Sequence, residues 1–78
     1  MKLPRGVSAD RLIRILEGLG YRVIRQRGSH VRIRHPGPPA HSVTIPSHNP
    51  LKTGTLHGIL AEVAAMRGTT LEALAEKL

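Results

Sequence analysis

Leucine and isoleucine recur at Leu12, Ile15, Leu16 and Leu19, the i, i+3, i+4, i+7 spacing that lines one face of an α-helix. Ser8 suits the N-cap, Val7 and Leu12 are spaced as a hydrophobic staple, and Gly20 ends the segment. From Tyr21 to Arg27 the β-branched Val23 and Ile24 predict a strand; being adjacent, they leave its inward face open. Gly28-Ser29 has the composition of a two-residue hairpin turn. After it the period becomes two, with Val31 and Ile33 on one face and His30, Arg32 and Arg34 on the other. Pro36-Gly37-Pro38-Pro39 cannot sustain a strand ladder and predicts a second turn. Val43 and Ile45 then alternate with Ser42 and Thr44 in a third strand that Pro46 closes.

A loop from Ser47 to Lys52 leads into a helix that begins near Thr53 to Thr55, is striped by Leu56, Ile59, Leu60 and Val63, and stops at Gly68. Thr69 with Glu72 reads as a capping box for a last short helix, with Leu71, Leu74, Ala75 and Leu78 on one side. The pattern predicts an α+β two-layer sandwich: a three-stranded antiparallel sheet with helices on one face, in the order α-β-β-β-α plus a short C-terminal helix. The other sheet face is left polar and cationic. Double-stranded-RNA-binding domains share this order, although a fold by itself assigns no chemistry.

Residues 1–78 read as one domain, and a chain of 78 residues buries only about 60 to 65% of its unfolded surface, so no deep enclosed cavity is expected. There is no cysteine, which removes a disulfide frame and a thiolate zinc site. The start, Met1-Lys2-Leu3-Pro4-Arg5, lacks the apolar region of a secretory signal, and no run approaches the roughly 20 apolar residues that span a bilayer. A cytoplasmic protein with no membrane partner is expected.

Charge changes the picture most. The formal net charge is +7, yet the five acids, Asp10, Glu17, Glu62, Glu72 and Glu76, stand toward the two ends, and none lies between Gly18 and Ala61. In the middle of that stretch Gly28-Ser29-His30 is set among Arg22, Arg25, Arg27, Arg32 and Arg34. Guanidinium forks bind phosphate oxygens in pairs and stay charged at any working pH, so the partner expected is a polyphosphate. Tyr21 is the only aromatic residue, which deprives the chain of the stacking platforms used by single-strand binders. RNA would be held through its backbone and shape.

His30 is the first candidate for chemistry. Cleavage of RNA by its own 2′-hydroxyl needs a base, an acid and cations around the phosphorus, and imidazole, with a reference pKa of about 6.5, can give or take a proton near neutrality. The plainer reading is a polar residue on a solvated strand face, just as the arginines can serve solubility alone. His35, His41, His48 and His57 are spread over strand ends, a loop and a helix, with no acid near, so neither a metal nor another cofactor is expected. No middle-region carboxylate is available to orient a serine triad. Gly18 and Gly20 fall at a helix end, not at the helix start a phosphate-cradling loop requires.

Gly28-Ser29-His30 after the first strand, Val43-Thr44-Ile45-Pro46-Ser47-His48 leaving the third, and Lys52-Thr53-Gly54-Thr55-Leu56 with Ile59-Leu60 opening the second helix together resemble the HicA family. Those proteins are the mRNA interferase toxins of bacterial type II toxin–antitoxin pairs. The resemblance extends from about Pro4 to the end and includes Leu16-Gly18-Leu19-Gly20-Tyr21 before the first strand.

The resemblance implies a double-stranded-RNA-binding-like toxin that cleaves mRNA without a metal and is held inactive by a HicB-like antitoxin. It puts the essential catalytic histidine at His30, a lysine of the site at Lys52, and a possible second acid or base at His48. Arg25, Arg27, Arg32, Arg34 and Lys52 are then the residues expected to hold RNA phosphates. The segment from Ala64 to Leu78 is longer than the family's usual ending and would enlarge the antitoxin contact or finish the core. The rival reading is a non-catalytic double-stranded-RNA or DNA-binding module using the same basic face, and a third is an adaptor that docks an acidic protein.

Overall fold

The computed structural model describes residues 3–78, and the predicted elements form in the predicted order: α1 (Ala9–Gly18), β1 (Arg22–Arg27), β2 (His30–His35), β3 (His41–Pro46), α2 (Thr53–Arg67) and α3 (Leu71–Ala75). Ser8 caps α1, its Oγ accepting from the Arg11 N–H at 3.1 Å, and Asp10 in the first turn faces the positive end of the helix dipole. Ala9, Leu12 and Leu16 are buried; Ile13 and Leu19 flank them, and Ile15, expected in the stripe, stays half-buried beside it.

The strands make an antiparallel meander in the order β1-β2-β3. Val31 faces Ile45 and Ile33 faces Val43 across β2 and β3, and these four side chains are buried. Leu12 and Leu16 of α1 and Leu56, Ile59, Leu60 and Val63 of α2 join the same hydrophobic cluster. Each such side chain contributes about 1.5 to 3 kcal/mol by leaving water. This is an α+β sandwich of the double-stranded-RNA-binding type, an open sheet with its helical layer.

β1 behaves differently from the other strands. Val23 pairs with Ile33 but Arg25 with Arg32, so the register shifts between them and Ile24 is the extra residue of a bulge. Val23 and Ile24 remain 45% and 54% exposed on this edge strand, and the core aromatic Tyr21, fully buried, lies just before the strand.

α2 ends on Gly68, whose φ of 66° is the left-handed cap that glycine adopts without strain. Thr69 belongs to that closure, donating its N–H to the Ala64 carbonyl at 3.0 Å. The cap of α3 is therefore Thr70, not Thr69: the Thr70 Oγ1 accepts from the Ala73 N–H at 3.1 Å. Among the described residues no helix is long and apolar enough to cross a membrane.

Candidate nucleic-acid interface

The sheet face opposite the helices carries the basic residues in cross-strand rows. Arg27 pairs with His30 and His30 with Pro46; Arg25 pairs with Arg32 and Arg32 with Thr44; Arg22 pairs with Arg34 and Arg34 with Ser42. Like charges directly opposite one another destabilise a sheet, and two of these rows set guanidinium against guanidinium. Among the described residues Arg25, Arg27, Arg32 and Arg34 have no carboxylate partner, and no strand of the sheet contains an acid. On this face Arg32 Nη1 donates to Thr44 Oγ1 at 3.0 Å. Arg22 is used otherwise: its Nη1 donates to the Tyr21 carbonyl at 2.9 Å and the Glu17 carbonyl at 3.4 Å, closing the end of α1.

His30 opens β2 directly after the Gly28-Ser29 turn, where Gly28 has φ +50° and no other residue of the turn has positive φ, as in a II′ hairpin with glycine first. Its side chain is exposed and, among the described residues, makes no hydrogen bond. The turn is fastened to the chain leaving β3, the Ser47 N–H donating to the Ser29 carbonyl at 2.6 Å. That bond brings the segments bearing His30 and His48 to one end of the sheet. The loop continues along α1, with the His48 carbonyl accepting from Ala9 N–H at 3.3 Å, and His48 itself is exposed. Lys52, also exposed, takes the N-cap of α2 without a side-chain cap bond, and no acid occupies the first turn. A positive side chain at the positive end of a helix dipole, uncompensated, is an arrangement that attracts anions.

The remaining histidines divide differently than expected. The expectation that no acid lies near them fails for His41: Glu62 of α2 returns to it, with Oε2 2.6 Å from His41 Nε2. The other ring nitrogen, Nδ1, stands 2.6 Å from the Tyr21 hydroxyl. Burial is the largest influence on that phenol and raises its pKa above 10.0, with Glu62 adding to the rise and Arg67 opposing it. His35 Nδ1 accepts from the Gly37 N–H at 2.9 Å and from Arg67, while Nε2 faces the Leu19 carbonyl at 3.2 Å. Arg67 also donates to the Pro39 carbonyl and lies 5.9 Å from the centre of the Tyr21 ring. Sequence reasoning missed this cluster of Tyr21, His35, His41, Glu62 and Arg67. Its members come from four separated segments, and the one hint in the sequence is that His41 shares the inward parity of Val43 and Ile45. Among the described residues no three histidine or carboxylate side chains group closely enough to hold a metal ion.

A small open antiparallel sheet with one helical layer and a basic outer face, its strands free of acids, places the chain among the compact α+β proteins of double-stranded-RNA-binding type. Within that class the family model described as HicA toxin of bacterial toxin-antitoxin matches residues 9–64, and the chain belongs to this family. The match stops inside α2, so α3 lies beyond it and the likeness is narrower than the Pro4-to-end span of the sequence motifs. No curated protein and no solved structure matches the chain.

Proposed function

We propose that this toxin is an mRNA interferase acting in the cytoplasm, in which His30 performs a proton transfer during cleavage of RNA and Arg25, Arg27, Arg32, Arg34 and Lys52 hold the phosphates. The observation that carries the reading is an exposed imidazole on a sheet face that holds these arginines and no carboxylate. In the reaction, a base removes the proton of a ribose 2′-hydroxyl, the O2′–P bond forms, and the P–O5′ bond breaks as an acid protonates the departing oxygen. The products end in a 2′,3′-cyclic phosphate and a 5′-hydroxyl. Two proton transfers are required. His30 supplies one of them, and His48, at the same end of the sheet, is the candidate for the second. The guanidinium groups offset charge that builds on the phosphoryl oxygens, a role that needs no metal.

Because the chain belongs to a toxin–antitoxin family, an antitoxin is its natural partner. A HicB-like protein presenting an acidic surface would cover the cationic face and block the site by charge complementarity.

The test is cleavage of a defined RNA in chelator-treated buffer by the purified toxin and by His30→Ala. The wild type should cut and the variant should not, while circular dichroism shows both folded, since an exposed side chain without bonds changes stability by only about 0.5 kcal/mol. Equal cutting by His30→Ala removes His30 from the chemistry. RNA left intact by the wild type, with tight salt-dependent binding, leaves a non-catalytic binding module in its place.

A further inference from the structure

The outer edge of β3 meets α2 across an open groove of about 440 Å³. Arg32, Ser42 and Thr44 line it from the sheet, and Thr55, Gly58 and Glu62 from the helix. Val43 and Ile59 supply its apolar wall. The groove continues the cationic face, because Arg32 and Thr44, joined by their 3.0 Å hydrogen bond, belong to both. Arg32 follows His30 by two residues along β2, about 7 Å at strand rise. A nucleotide in the groove would therefore adjoin one whose phosphate lies at His30.

Glu62 is out of keeping with such a surface. A carboxylate beside a phosphate-holding arginine repels the backbone it should attract, and it suits a ligand group that donates hydrogen bonds. It is also held in position: Oε2 lies 2.6 Å from His41 Nε2, and His41, only 8% exposed, is fixed in turn by the buried Tyr21 hydroxyl. Oε1 has no partner among the described residues and remains available as an acceptor. Gly58 borders open space, a Cβ built there meeting nothing within 4 Å, so a large side chain at this lining position can extend into the groove.

We propose that this groove is a base-reading subsite for the RNA, in which Glu62 accepts from the Watson–Crick edge of one unstacked base lying against Val43 and Ile59. The inference rests on the ribonuclease reading above and adds a specificity determinant to it. Guanine suits the site best, because its N1–H and N2–H₂ donors are adjacent and can both meet a carboxylate. Uracil suits it least, since its single N3–H donor is flanked by two carbonyl oxygens that repel Glu62. A good base contact of this kind discriminates by about tenfold or more.

The experiment maps cleavage positions in a randomised RNA pool for the wild type, Glu62→Gln and Gly58→Leu. In parallel, amide spectra of the wild-type chain are titrated with guanosine 3′-monophosphate and uridine 3′-monophosphate. Where the wild type cuts, the map decides: guanine should be favoured about tenfold over uracil at one fixed position, and both substitutions should flatten that preference. A preference unchanged in both variants, or none in the wild type, overturns the subsite while leaving the ribonuclease standing. Where the wild type does not cut, the titration decides. Shifts of the Thr44, Thr55 and Gly58 amides with the guanosine nucleotide and not the uridine one uphold the subsite while the ribonuclease reading falls, and their absence overturns both.

Discussion

The hydroxyl of Tyr21 stands 2.6 Å from Nδ1 of His41, twenty residues further along the chain, and the pair locks the start of the sheet to its last strand. The carboxylate of Glu62 can only accept, so His41 Nε2 carries its proton toward Glu62, while Nδ1 and the phenol share a second hydrogen bond. Removing the hydroxyl in Tyr21→Phe leaves a buried ring nitrogen without its hydrogen-bond partner. The expected loss is about 1 to 3 kcal/mol of unfolding free energy, measured by urea titration at neutral pH. A variant as stable as the wild type would show that water replaces the phenol at no cost.

The same phenol governs stability in alkali. Its folded-state pKa is raised above 10.0, chiefly by burial, so the folded protein holds this proton more tightly than the unfolded chain does. The associated stability is fully present below about pH 10 and is lost as pH rises through the folded value. Tyr21 is the only tyrosine, so phenolate absorbance reports this group alone. It should titrate above the free phenol while the chain is folded, and Tyr21→Phe should show a shallower alkaline fall in stability than the wild type. Titration at the free value would remove the linkage.

Arg25 and Arg32 oppose each other across β1 and β2 with no acid between them. Substituting Arg25→Ala relieves a like-charge pair, so stability should stay level or rise by a few tenths of a kcal/mol, about the size of such cross-strand terms. RNA affinity should fall, and the slope of log affinity against log salt should lessen by about 0.7 if one contact to a single-stranded phosphate is lost. Binding isotherms at several salt concentrations check both. An unchanged slope would assign Arg25 to solubility and not to RNA.

The regular part of this fold is legible in the sequence because it depends on local rules. Ser8 caps α1, the alternation of Val31, Ile33, Val43 and Ile45 sets the buried sheet face, and Gly68 ends α2. The failures have physical causes. The adjacent Val23 and Ile24 defeat a period-two reading because a bulge makes Ile24 an extra residue, and neither side chain is buried. Thr69 and Thr70 are neighbours with the same chemistry, and which one caps α3 depends on how α2 closes. The exposure of His30 among arginines follows from strand alternation, so that part of the candidate site could be read in advance. The contact of Glu62 with His41 could not, because it joins residues 21 apart through the packing of α2 on the sheet.

α3 lies beyond the family match, and its sequence admits two roles, a docking element for the antitoxin or a piece of the core. Leu74 is 1% exposed and belongs to the hydrophobic cluster, with Leu71 and Leu78 packed beside it, so the helix closes the core over α2. Truncating a leucine so enclosed leaves a void that a small domain has little means to fill. Leu74→Ala should therefore cost about 2 to 5 kcal/mol, a large share of the stability of a chain this size. Exposed Glu72 and Lys77 on the same segment should tolerate alanine within about 0.5 kcal/mol. Urea denaturation of the three variants separates the cases: equal, small effects at all three positions would mean that α3 is not part of the folded core, and a loss confined to Leu74→Ala would fix its role as packing.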